Sequence, residues 1–195
     1  MAGNNPETGN EFDIRPADWH GFEAVMGEKG GCGGYWCMLW RLPKKEMDAG
    51  MGDGNRAAMK ALFDTGHIPG LVAWRAGEAV GWIQVDERNA FPRLASSRVL
   101  KPLDQQPVWS ISCFLVDKRF RKQGLSLKLL EAACDFARDR GATILEGYPV
   151  DSSKKSYPAV YAWTGFIGAF RDAGFEEAAR RSETRPIMRK RLDGA

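Results

Sequence analysis

Histidine is scarce in this chain. His20 and His67 are the only two, and both lie far from the segment that carries the strongest signal. A zinc or His-centred site therefore has little to draw on. Cysteine is also sparse: Cys32, Cys37, Cys113 and Cys134 are irregularly spaced. Four are too few for a disulfide framework in a chain of this length, and a reducing cytoplasm is the expected setting. No apolar run approaches the ~20 residues needed to cross a bilayer, and no charged-then-apolar N-terminal segment suggests secretion. Charge of one sign is not in excess either. The 28 Lys and Arg against 25 Asp and Glu leave a net +3, well short of the footprint of a dedicated nucleic-acid binder. Neither a membrane nor a nucleic acid is an expected partner.

What is present fits one globular domain: 195 residues, 44% hydrophobic and 27% charged, with room for a sizeable core. Residues 1–10 are polar and rich in Gly and Asn and read as a disordered tail. Residues 11–195 read as one domain of mixed α/β class. A first strand is expected over 12–15 and a helix over 17–26. Five glycines in 27–34 then break regular structure. A helix over 55–64 has Asn55 as N-cap and Gly66 beyond its end. Residues 71–75 and 79–85 read as a hairpin, and 86–107 as a loop with at most one helical turn. A strand over 109–116, a helix to about Arg140 and a strand over 143–147 form a right-handed βαβ unit. A short helix over 164–173 and a last strand over 186–192 complete the pattern.

The densest information lies in residues 108–130, VWSISCFLVDKRFRKQGLSLKLL. A buried strand runs into a short basic turn at Gly124 and then into an apolar helix. Such a junction offers free backbone N–H groups and a helix dipole to an anion. Arg121-Lys122-Gln123-Gly124-Leu125-Ser126 resembles the Arg/Gln-x-x-Gly-x-Gly/Ala signature of the GNAT N-acetyltransferase superfamily, with Ser126 where Gly or Ala is usual. The strand over 143–150 and the helix ending in Ala173-Gly174-Phe175 resemble later elements of that family, in the same order.

The resemblance implies a GNAT fold: a central twisted mixed sheet with splayed central parallel strands, flanked by helices. It implies acetyl-CoA as co-substrate, without a metal, and a primary amine of a small molecule or peptide as acceptor, acetylated by direct attack. It leaves room for a homodimer. Phe114, Leu115 and Val116 would bind the pantetheine arm and polarise the thioester. Arg121, Lys122, Gln123, Gly124, Leu125 and Ser126 would bind the pyrophosphate. Pro149, which cannot donate to a ladder, suits a place where the strands have separated, or simply marks the strand end.

Catalytic groups are harder to carry over. Where family members often have a tyrosine as acid, this chain has Phe170; Tyr157 or Tyr161 are the expected substitutes. Glu146 is the first candidate base, ahead of Asp151 and of water relayed through Ser112. Its other reading is a solvated strand-end carboxylate. Tyr35, Trp36 and Trp40 would form one wall of the acceptor pocket, or else belong to the core. Tyr148, Asp151, Tyr157 and Tyr161 would form the opposite wall. Cys113, mid-strand among apolar residues, reads as a structural cysteine rather than a nucleophile. Two other classes stay open: a non-catalytic acyl-CoA sensor, which Phe170 favours, and a thiol or metal module built on Cys32 and Cys37.

Overall fold

The computed structural model describes residues 11–153 and 163–193; the expected tail and the calls on Tyr157 and Tyr161 lie outside them. Seven strands form one mixed sheet in the order β1-β2-β3-β4-β5-β7-β6. They are β1 (Asp13–Pro16), β2 (Gly70–Arg75), β3 (Glu78–Glu87), β4 (Trp109–Val116), β5 (Ile144–Gly147), β6 (Glu176–Arg180) and β7 (Pro186–Arg191). Among the described residues six α-helices accompany them: α1 (Trp19–Met26), α2 (Lys44–Ala49), α3 (Asp53–Asp64), α4 (Pro92–Ser96), α5 (Leu125–Arg138) and α6 (Ile167–Asp172). The β2–β3 hairpin and the β4–α5–β5 unit are where the sequence puts them. The short α2 and the edge strand β6 were not anticipated.

Helix α5 forms because its apolar residues recur on one face, and Leu125, Leu129, Leu130, Ala133, Cys134, Phe136 and Ala137 are all buried. Each fully buried Leu contributes about 1.5–3 kcal/mol, so this face anchors the helix to the sheet. On the opposite face, Phe22 and Met26 of α1 and Met59 of α3 pack with Trp36, Met38, Val72 and Trp82. Strand β4 serves both layers, since successive side chains point to opposite faces. Phe114 and Val116 pack with the α5 cluster, whereas Cys113 and Leu115 pack with the α1/α3 cluster.

The register of β4 positions the open end of the sheet. Against β3, Gln84 pairs with Cys113 but Val85 pairs with Ile111, which leaves Ser112 as an extra residue in β4. Such a bulge bends its strand and interrupts the ladder. Accordingly β4 and β5 pair in parallel only from Trp109↔Leu145 to Ile111↔Gly147. Beyond that point they part, and Pro149 falls just after the last pair. Residues 163–167 lie between the parted ends. Trp163 O accepts from Phe114 N at 2.5 Å on one side, while Gly165 O accepts from Val150 N at 2.8 Å on the other.

Gly147, the last residue of β5, marks a second constraint. A Cβ built on Gly147 would overlap the ring of Phe170, which also approaches Gly165. Phe170 is fully buried and packs edge-on against Phe175, ring centroids 5.1 Å apart. Gly147→Ala should therefore destabilise the protein by about 1–3 kcal/mol through overpacking, read as a lower urea midpoint with an unchanged slope. A neutral effect would show that the ring can move aside freely.

Candidate active site

The turn after β4 is built by local capping. Asp117 accepts from Arg119 N at 2.8 Å and starts a single 3-10 turn over Lys118–Phe120. The chain then passes through Lys122 at φ 60° and Gly124 at φ 77°. Gly124 is the N-cap of α5 and makes no side-chain cap bond. The first intrahelical bond is Lys128 N to Gly124 O, 3.1 Å, so the N–H groups of Leu125, Ser126 and Leu127 have no acceptor within the helix. A Cβ on Gly124 would meet nothing within 4 Å. These features fit an anion such as a pyrophosphate, with Arg121 and Lys122 beside it.

A cavity of about 770 Å³ runs from this turn along β4. Phe114, Leu115, Val116, Arg121, Lys122, Gly124, Leu125 and Ser126 all line it, as expected. Gln123 does not: its amide is taken by Arg75 Nη1 at 2.7 Å and by Arg119 O at 2.9 Å. Arg119 is committed to carboxylates, and hydrogen bonds to Asp117 and Glu78 hold it above its ordinary pKa. Main-chain polarity along β4 is partly spent. The Phe114 N–H already bonds Trp163 O, while Val116, two residues on, presents its N–H to the same side.

The far half of the cavity is apolar. Met26, Cys32, Tyr35, Cys37, Leu39 and Trp40 form one wall, with Cys113, Trp163 and Phe166 also in contact. Tyr35 and Trp163 face each other with ring centroids 6.3 Å apart. Of the three aromatics singled out in the sequence, Tyr35 and Trp40 line this half of the cavity. Trp36 does not. It is 4% exposed and stacks on Trp19 at 6.2 Å, because the left-handed backbone at Trp36 and Cys37 (φ 50° and 57°) turns the indole into the core.

The expected opposite wall is also elsewhere. Tyr148 is fully buried, with its hydroxyl bonded to Glu146 at 2.7 Å and paired with Ser110 at 2.9 Å. Burial, with the Glu146 charge beside it, pushes that hydroxyl well above the usual tyrosine value. Asp151 is 4% exposed and ion-paired with Arg180 at 3.0 Å; hydrogen bonds from Ser153, then Arg180, hold its carboxyl below the usual range. Neither residue is among the cavity's described lining.

Glu146 does not have the surroundings of a base. It is 1% exposed, accepts from Arg189 Nε at 2.7 Å, and is also held by Arg88 and by Tyr148. Both oxygens are occupied by cationic or hydroxyl donors, and Glu146 does not touch the cavity among the described residues. Its partners come from β7 and from the turn after β3, 43 and 58 residues away, which no local sequence pattern could reveal.

Two further features escaped the sequence reading. Cys37 and Cys113 form a disulfide, Cα atoms 6.1 Å apart, so Cys37 is not available for the thiol or metal module with Cys32 that the sequence left open. Among the described residues no group of three or more His, Cys, Asp or Glu side chains could hold a metal ion. The second feature is a polar chain behind β4. With its amide oriented to satisfy all partners, Gln84 donates to Ser112 Oγ at 2.7 Å and to Cys37 O at 3.0 Å, and accepts from Arg41 Nε at 3.0 Å. Arg41 continues to Asp86 at 2.6 Å, and Asp86 meets His67 Nε2 at 2.6 Å. Burial lowers the pKa of Arg41, and Asp86 opposes that shift.

Glu146→Gln should destabilise the fold by about 3–5 kcal/mol, because the buried Arg88 would lose its carboxylate and Arg189 would be left with Asp104 alone. Urea denaturation reads this directly; a loss below ~1 kcal/mol would mean the carboxylate is solvated after all.

Comparison with known proteins agrees with this geometry. Residues 36–166 match the acetyltransferase (GNAT) family model. No protein with a curated description matches the chain by sequence. Among solved structures, an N-acetyltransferase from Staphylococcus aureus Mu50 aligns over 94% of this chain and all of its own, at 15% identity and TM-score 0.58. The yncA structure from Salmonella typhimurium, with its cofactor acetyl-CoA, covers 95% of this chain and 96% of its own at 18% identity and TM-score 0.54. The PaiA N-acetyltransferase from Thermoplasma acidophilum, in complex with coenzyme A, covers 93% and 99% at 10% identity and TM-score 0.54. At these identities the structures establish the fold, and the family match extends over most of the sequence: the chain belongs to the acetyltransferase (GNAT) family.

Proposed function

We propose that the protein transfers an acetyl group from acetyl-CoA to the primary amine of an apolar, aromatic-bearing acceptor by direct attack. The observation that carries this reading is one continuous cavity joining the α5 N-terminus to the Tyr35–Trp40 wall. Acetyl-CoA supplies the activated acyl group. The chain's part is to hold the pyrophosphate with the free N–H groups of Leu125 and Ser126 and with Arg121 and Lys122. Phe114–Val116 would guide the pantetheine arm, and Val116 N–H is a main-chain donor on the side where β4 and β5 part.

The acceptor half decides the substrate class. The one carboxylate in the cavity's described lining is Asp172, on α6, which packs against α5. The Tyr35–Trp40 wall has none, so a polycation gains no ion pair there, while an aryl or alkyl amine gains apolar contact and stacking. With Glu146 enclosed by arginines, the attacking amine would lose its proton to water in the cavity. A CoA-like thiol, with pKa near ~8.5, is a tolerable leaving group without a built acid, whereas an alkylamine near ~10.4 must be deprotonated first. The rate is therefore expected to climb with pH toward the acceptor's own pKa. A plateau near pH 7 in initial-rate assays would point to a built base instead.

A non-catalytic acyl-CoA sensor is the second reading, favoured by Phe170 in place of a tyrosine. Thiol release from acetyl-CoA in the presence of an amine panel separates the two. Binding itself is tested at the turn. Acetyl-CoA at 100 times its Kd should stabilise the protein by ~2.7 kcal/mol. Gly124→Glu should abolish that shift, since the new side chain enters the open space a phosphate would need. Gly124→Ala controls for the positive φ. Equal shifts in all three proteins would show that the turn is not the phosphate site.

A further inference from the structure

The cavity wall formed by residues 27–42 contains no helix or strand. Its backbone is a series of turns with positive φ at Gly27, Gly30, Gly31, Gly33 and Gly34 and at the non-glycine residues Trp36 and Cys37. Left-handed backbone at non-glycine residues persists only where surrounding contacts hold it. Bonds from Arg93 to Leu39 O at 2.7 Å and from Asn55 to Gly34 O at 3.2 Å hold parts of this wall, and three further tethers run to α1, β3 and β4. Trp36 is packed beside Trp19 and Phe22, Arg41 is paired with Asp86, and Cys37 is bound to β4 through its side chain and to β3 through the Gln84 bond to its carbonyl. The third tether is covalent and closes a separation of 76 residues.

Its position is what gives it a function. Cys113 directly precedes Phe114, and both Cys37 and Cys113 line the cavity, so a small thiol entering the cavity can reach the bond. The other two cysteines differ. Cys32 is exposed and free, and Cys134 is buried and free, its thiol pushed up to about 11 by burial.

We propose that the Cys37–Cys113 disulfide is a redox-sensitive positioning element for the acceptor: closed, it holds the 27–42 wall against β4, and opened by a small thiol, it lets that wall relax. The acceptor role rests on the acetyl-transfer reading; the clamp itself does not. In the opening step a thiolate attacks one cysteine sulfur, the S–S bond breaks, and the other cysteine leaves as a thiolate and takes up a proton. A second thiol displaces the first from the mixed disulfide, leaving two cysteine thiols and one small-molecule disulfide. The phosphate turn lies beyond Val116 and is not part of the linkage.

The full chain, prepared oxidised and after dithiothreitol, tests this in three arms. Iodoacetamide should label Cys32 alone in the oxidised protein, add Cys37 and Cys113 after reduction, and spare Cys134 throughout. Amide hydrogen exchange across 27–42 should accelerate on reduction and in Cys37→Ser and Cys113→Ser, with α5 unchanged. With phenethylamine as probe acceptor, KM for the amine should rise on the order of tenfold on reduction, as expected when a substrate is mispositioned. The acetyl-CoA thermal shift should stay as it was, and diamide should restore the low KM. Labelling of Cys37 and Cys113 before reduction, or identical exchange across 27–42 in both states, overturns the clamp. A reductant effect on acetyl-CoA binding equal to that on the amine overturns the positioning role. Absence of any acetyl-CoA shift in either state counts against the acetyl-transfer reading instead, while the exchange arm still decides the clamp.

Discussion

One extra residue governs the architecture. Ser112 has no partner in β3, and the bulge it creates ends the pairing of β4 with β5 at Ile111 and Gly147. Without it the parallel ladder could continue toward Val116 and the cavity would be closed by main-chain hydrogen bonds. With it, one sheet is intact at one end and open at the other. The stable end carries the Glu146, Arg88, Arg189 and Tyr148 cluster. The open end meets the start of α5. The energetic burden of burying charge thus falls on the half of the sheet away from the cavity.

The same division explains why some residues were readable from the sequence and others were not. The basic turn, Gly124 and the apolar stripe of α5 are local patterns, and local patterns survive into the structure. Tyr35 and Trp40 were assigned to an acceptor wall, with the core as the other reading, because the family resemblance implies a wall in this region. Trp36 stands between them yet points the other way, because its φ is positive, and nothing in its residue type signals that. Glu146, Tyr148 and Asp151 look like functional polar groups in sequence and are structural ones in space. Their partners, Arg88, Arg189 and Arg180, come from distant segments. Strand β6, Glu-Glu-Ala-Ala-Arg, is polar and at the sheet edge, so it lacks the apolar alternation that marks a strand.

Sulfur chemistry was misjudged for a related reason. Spacing arguments compare neighbours, and Cys32 and Cys37 are neighbours; the partner of Cys37 is 76 residues away on β4. The polar chain from Ser112 through Gln84 and Arg41 to Asp86 and His67 is equally invisible, since only Gln84 and Asp86 share a stretch and the other members come from three separate ones. Together the disulfide and this chain attach an irregular wall to the strand that also leads into the Gly124 turn. The two halves of the cavity are therefore mechanically joined through β4 although they are built from different layers.

The contact between Trp163 O and Phe114 N gives the open end of the sheet a further property. A buried N–H that already has a carbonyl partner gains little when a ligand amide replaces that partner, because one hydrogen bond is exchanged for another. Whatever enters between the parted strands at Phe114 draws its affinity from apolar contact and from phosphate charge rather than from main-chain pairing there. Selectivity along this stretch of the cavity should accordingly follow shape and charge, and respond weakly to the hydrogen-bonding pattern of the arm that lies in it.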